Sequence, residues 1–89
     1  MKLNKKQTKA LELVYEGYEF GLDVVDASKG VIPRGDIYPA LAKIEELGLV
    51  RGEAYPTGEQ ERLGMVPRRR YAVTQKGQDW LFMMWANNF

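Results

Sequence analysis

The chain has no cysteine and no histidine. Without cysteine it has no disulfide and no thiolate metal site. Without histidine it lacks the commonest general base at neutral pH and the commonest neutral metal ligand. No apolar run is long enough to span a bilayer. The lysine-rich N-terminus is followed by no apolar signal core, so neither a membrane nor export is indicated and the cytoplasm is the expected location. Catalytic constellations are missing as well. Glu45 and Glu46 are adjacent, so on a helix they point about 100° apart rather than converging. The glycines are scattered and form no phosphate-binding fingerprint. An enzyme is disfavoured, and no cofactor or metal is expected.

Net charge is nearly absent too, at +1, but its distribution is uneven. Lys2, Lys5, Lys6 and Lys9 fall in the first ten residues without an acid. Arg62, Arg68, Arg69, Arg70 and Lys76 fall between residues 62 and 78, again without an acid. Two basic clusters on a near-neutral chain suggest one positive surface rather than general basicity. With 89 residues, 45% hydrophobic and 28% charged, the composition is that of a small folded domain spanning 1–89.

Periodicity predicts a helix over residues 4–16, with Asn4 as N-cap, Leu11, Val14 and Tyr15 on one face, and Gly17 as the stop. A second, short helix is predicted over 19–28, with Phe20, Val24 and Val25 on one face, ended by Ser28-Lys29-Gly30. A third runs from about Pro33 to Leu47 and is closed by Gly48. Leu41 and Ile44 form its buried stripe, Tyr38 and Leu47 are candidates for extending it, and Glu45 and Glu46 face water. Pro39 is expected to lie beyond the first turn, to remove one backbone bond and to bend the tip. Strands follow over 49–55 and 67–73, around the loop PTGEQERLGMV. Thr74 is the expected N-cap of a last helix over 74–87. The expected fold is α+β: a winged helix-turn-helix of three helices, a two-stranded β-wing and a C-terminal helix.

A short helix with a buried face and a polar tip, following another short helix, is a means of placing side chains in the DNA major groove. Arg34, Asp36 and Tyr38 sit at that tip, where the core does not need them. Strand alternation puts Arg68 and Arg70 on one face and Arg69 on the other, with Tyr71 and Val73. Three arginines leading out of a loop suit phosphates or a minor groove, and Lys76 adds to the same patch. As an alternative, charge on an edge strand guards against aggregation. The run WLFMMWA, residues 80–86, circles its helix nearly twice. Leu81 and Met84 can cover the core, whereas Phe82 and Trp85, with Phe89 one turn on, suit a partner surface. The expected activity is DNA binding. The alternative is a winged-helix module that grips another protein.

The segments GYEFGLDVV, GVIPRGDIYPALAKIEELGLV and RRRYAVTQKG resemble the PadR-like winged-helix transcription regulators. The fit rests on Gly17-Tyr18, Tyr38-Pro39-Ala40-Leu41, the Glu45 to Val50 exit, Arg70-Tyr71 and Thr74-Gln75-Lys76-Gly77. It covers residues 11 to 81, and Tyr-Pro-Ala-Leu is its specific part. The resemblance implies a dimeric bacterial repressor on double-stranded DNA, with its recognition helix in the major groove, its wing on the flanking backbone and its C-terminal helix forming a homodimer. Some small members of that family bind flat aromatic compounds between tryptophans at the dimer interface. Carried over, Arg34, Tyr38 and Lys43 would face DNA, Arg68 and Arg69 would lie on the wing, and Trp80 or Trp85 would line an interface able to hold a small aromatic effector. Two features depart from the pattern. Asp36 stands where the family favours Thr or Ser, so its carboxylate repels phosphates, caps the helix or accepts from a cytosine amino group. The sequence stops at Phe89, so the C-terminal helix is expected to be short for dimerisation.

Overall fold

The computed structural model describes residues 2–55 and 68–87. The loop expected between the strands, with Arg62, and also Phe89 lie outside the described residues.

The first helix, α1, is Lys5–Tyr15. Asn4 caps it reciprocally: the Asn4 side chain accepts from the Gln7 N–H at 2.8 Å, and the Gln7 side chain accepts from the Asn4 N–H at 3.0 Å. This satisfies two donors that a helix start leaves open. Ala10, Leu11, Leu13 and Val14 turn inward. Tyr15, expected on this stripe, lies past its edge and is 39% exposed. Gly17, with φ +113°, ends the helix in a conformation that side chains rarely adopt.

The second helix, α2, is Gly21–Ala27, shorter at its start than the sequence predicts. Glu19 and Phe20 are withdrawn from it because their backbone is engaged elsewhere. The Tyr71 N–H donates to the Glu19 carbonyl at 2.8 Å, and Phe20 forms an antiparallel bridge with Arg70. A backbone segment bonded to a strand edge is not free to wind into a helix. Phe20 is therefore the extended N-cap residue, not a helix-face residue beside the buried Val24. After α2 the Ser28 hydroxyl donates to the Val25 carbonyl at 2.7 Å and accepts from the Ile32 N–H at 3.1 Å. Ser28 is 1% exposed, so this double use fixes the turn between the two helices while leaving no buried hydroxyl unpaired.

The third helix is not continuous from Pro33. Residues Arg34–Asp36 form a single 3-10 turn, and α3 is Ile37–Glu46. The expectation that Pro39 costs a backbone bond is thereby corrected. Pro39 is the third residue of α3, where an N–H has no partner within the helix anyway. Its ring would collide with the carbonyl of Gly35 if α geometry reached back that far, which places the helix start at Ile37. Ile37, Ala40, Leu41 and Ile44 are buried. Tyr38 does not extend that stripe, being 54% exposed, while Leu47 packs at its end.

Strands β1 (Val50–Tyr55) and β2 (Arg68–Val73) pair antiparallel, from Val50 opposite Val73 to Tyr55 opposite Arg68. The last helix, α4, is Gln75–Asn87. Thr74 caps it, accepting from the Gly77 N–H at 3.1 Å while its hydroxyl donates to the Gly48 carbonyl at 2.6 Å. Gly77 is obligatory: a Cβ there would lie 2.0 Å from the Leu49 carbonyl oxygen. The core joins Leu11, Ile32, Ile37, Leu41, Ile44, Leu49 and Leu81, so α4 is fastened to the helical unit by Leu81 at one point and by the Gly77 approach at another. Met84 is half-buried against the same core.

Candidate nucleic-acid interface

The 3-10 turn and the first turn of α3 project Arg34 and Tyr38 outward, because the chain buries Ile32 before Arg34 and Ile37 just before Tyr38. The Tyr38 ring lies over the start of α2. A Cβ on Gly21 would meet it at 3.0 Å, so the absence of a side chain at Gly21 lets the ring settle there. Tyr38 reaches the loop-side end of the paired strands: with Phe20, Gly21, Leu22, Arg68 and Arg69 it lines one notch. Lys43 is on the exposed side of α3, 3.9 Å from Glu46. Tyr38, Pro39, Ala42 and Lys43 are all exposed, so α3 offers an outward face along its length.

Asp36 does not cap α3. Its carboxylate instead accepts from the Lys6 ammonium of α1 at 2.6 Å. The α1 lysine therefore holds the acid at the tip, and neither residue is a lone charge.

The arginine run divides as alternation predicts, and each residue has its own surroundings. Arg68 stacks over the Phe20 ring, 4.0 Å from its centroid. Phe20 in turn meets Tyr55 edge-on at 5.6 Å. Arg69, on the other face of the hairpin, donates to both carboxylate oxygens of Glu45, at 3.0 and 3.3 Å, and to the Gly52 carbonyl at 3.1 Å. Arg70 donates to Glu19 and stacks near Tyr55. Both guanidinium groups are held above the ordinary arginine pKa, Arg69 by Tyr71 first and then Glu45, Arg70 by its hydrogen bond to Glu19.

Lys76 lies away from this cluster. Its ammonium donates to the Leu47 carbonyl at 2.8 Å, at the C-terminal end of α3. A ten-residue helix is about 15 Å long, so Lys76 and the Arg34 tip are at opposite ends. A cation on the last carbonyls of a helix is favourable in itself.

On α4, Trp80, Met84 and Trp85 are half-buried against the core. Phe82 is 43% and Met83 67% exposed. The apolar excess is not wholly without a place in this chain. Tyr15 of α1 stands edge-on to Phe82 at 5.8 Å and to Trp85 at 5.7 Å, and the Trp85 indole N–H points to Glu12 at 3.4 Å. Tyr15, past the edge of the α1 stripe, serves as the platform for both rings.

Three contributors escape the sequence reading: Glu19, Phe20 and Glu45. Glu45 is expected in water but sits beside β1, where its carboxylate also accepts from the Gly52 N–H at 3.2 Å. Its position next to buried Ile44, one turn before a tight reversal, is the signal that could have placed it against the strand.

No protein-family model and no curated protein sequence matches the chain. Solved structures do. A structure described as transcriptional regulator PA4135 superposes with a TM-score of 0.70 at 21% identity, covering 94% of this chain and 56% of that one. A Streptococcus transcriptional regulator gives 0.67 at 21% identity, covering 92% of this chain and 78% of that one. The protein smu.1704 from Streptococcus mutans UA159 gives 0.67 at 19% identity, covering 99% and 86%. The fold is a winged helix-turn-helix. In it α2 and α3 are the helix-turn-helix, and β1 with β2 forms the wing. The winged helix spans little more than half the length of PA4135, so a shared fold leaves the activity of a whole protein to be argued separately. Among the described residues there is no group of three or more carboxylates placed to hold a metal ion, and no helix long and apolar enough to cross a membrane.

Proposed function

We propose that the protein is a DNA-binding transcription regulator of the PadR-like repressor type, acting in the cytoplasm as a homodimer through this winged-helix domain. The observation that carries the reading is the notch where Tyr38 at the tip of α3 meets Arg68 and Arg69 of the wing. A recognition helix and a wing on one side of the molecule suit a major groove and its flanking phosphates together. The names of two structural neighbours, both transcriptional regulators, agree with it. In this reading Arg34, Tyr38 and Lys43 face the groove and Arg68 the backbone, while Trp80, Phe82 and Trp85 belong to a dimer surface that can take a small aromatic effector.

Selection of bound sequences from a random DNA pool tests the proposal. An enriched palindrome supports it. Retention that ignores both sequence and salt overturns it. On an enriched site, Arg34→Ala should lose about 1–3 kcal/mol, and much less on random DNA, if Arg34 reads a guanine. Equal loss on both makes Arg34 a phosphate contact.

One observation favours the alternative, a protein-interaction module. Lys6, Arg69, Arg70 and Lys76 are all engaged within the chain, which reduces the cationic surface below what the sequence suggests. A salt slope of log K near zero would favour that reading.

A further inference from the structure

The Glu45 carboxylate touches both strands of the wing. It accepts from the Gly52 N–H of β1 at 3.2 Å and from the Arg69 guanidinium of β2 at 3.0 and 3.3 Å. Arg69 closes the ring by donating to the Gly52 carbonyl at 3.1 Å. Gly52 makes room for this arrangement: a Cβ there would lie 2.7 Å from the Arg69 guanidinium and 2.9 Å from the Tyr71 ring. Glu45 is carried by α3, next to Ile44, which is fully buried, so the backbone from which the carboxylate reaches the wing is fixed. The opposite face of the hairpin is also held, by Glu19 to Arg70 and by the Phe20 bridge.

We infer that Glu45 and Arg69 are positioning residues that set the angle of the wing against the recognition helix, and that Arg69 acts through Glu45 rather than by touching phosphate. The inference rests on the DNA-binding reading above for its consequence, though the brace itself does not. An ordinary surface ion pair contributes little because two mobile side chains must be ordered for one contact. This pair differs in that one carboxylate meets two nitrogen donors on two strands, and Glu45 is only 34% exposed in its side chain. Removing it frees the wing to swing, and a wing with many orientations loses the pre-organisation that two-point binding needs.

Electrostatics and positioning predict opposite signs for one substitution. Glu45→Ala removes an acid from a surface facing phosphates and frees a cation. If Arg69 is a phosphate contact, DNA binding tightens. If Glu45 is the brace, binding weakens even though the protein has become more positive. The companion measurement is amide exchange of Gly52 and of residues 68–71 in DNA-free protein, with circular dichroism to show that the helices persist. The expected result is exchange faster by about tenfold at Gly52, as for loss of a charged hydrogen bond. In DNA binding, Glu45→Ala and Arg69→Ala should each weaken affinity at an unchanged salt slope, and their effects should not add. Three results would overturn the inference: tighter binding in Glu45→Ala, a slope about 0.9 smaller in Arg69→Ala, or unchanged exchange in both variants. If the wild type binds no DNA, the exchange arm still decides the brace, and only the DNA reading fails.

Discussion

At the residue scale, the same charge has different consequences according to what it touches. Asp36 illustrates this. A carboxylate just before α3 could cap the helix, yet its oxygen goes to Lys6 at 2.6 Å and makes no cap bond. Asp36→Thr should therefore change stability by no more than about 1 kcal/mol in urea unfolding, the range of an exposed pair. It should also raise affinity for random DNA, since an acid facing phosphates is gone. A large loss of stability would mean that Asp36 supports the helix start. Gly77 is a residue of the opposite kind, uncharged and unforgiving. With the Leu49 oxygen 2.0 Å from an added Cβ, Gly77→Ala must push α4 off the β1 start. The expected cost is at least about 2 kcal/mol, because the obstacle is backbone and cannot rotate away. A denaturation midpoint equal to wild type would show that α4 shifts freely.

At the scale of the element, the wing is the part whose behaviour follows least from composition. Arg68, Arg69 and Arg70 are three identical side chains in a row, but β alternation and the approach of α3 and of the segment before α2 send each to a different neighbour. Arg68 rides on the Phe20 ring, where a guanidinium keeps its donors available while its plane is held. Arg68→Ala should flatten the plot of log K against log salt by about 0.9 for one lost phosphate contact. Replacement by Lys should restore the slope. No change in slope with Arg68→Ala would remove it from the backbone interface. The α3 helix behaves more simply. Its stripe of Ile37, Ala40, Leu41 and Ile44 repeats at three and four residues, a pattern that the sequence shows directly for Leu41 and Ile44.

At the scale of the whole molecule, the question is how two winged helices would come together. The α4 surface is divided between its own chain and the outside. Trp85 leans on Tyr15 of α1, so Trp85→Ala disturbs the domain as well as any partner. Phe82 also meets Tyr15 edge-on, so Met83, at 67% exposed, is the better probe. In sedimentation at micromolar concentration, wild type should run as a dimer, and Met83→Glu should run as a monomer with unchanged circular dichroism. Truncating an aromatic anchor of such a surface costs about 2 kcal/mol or more. A monomeric wild type would remove the homodimer, and with it the half-site spacing of about 34–36 Å expected on a palindrome.

Much of the fold is legible in the chain by itself, because its signals are local. Asn4 and Gln7 stand three residues apart and cap α1, Thr74 caps α4, and Gly17 and Gly48 stop helices where a positive φ is required. The alternation that separates Arg69 from Arg68 and Arg70 needs only the two-residue period of a strand. What the sequence could not decide are contacts between residues far apart in it. Lys6 meets Asp36 across 30 positions, Arg69 meets Glu45 across 24, and Arg70 meets Glu19 across 51. Periodicity places a charge on a face but is silent about what packs against that face. Glu45 therefore reads as a solvated acid until β1 folds back beside it, and Phe20 reads as a helix residue until β2 takes its backbone. The sequence determined the elements and their order, since each is specified by neighbours within a few residues. The tertiary structure decided which cations remain at the surface for a partner, because only the folded chain brings the carboxylates to them.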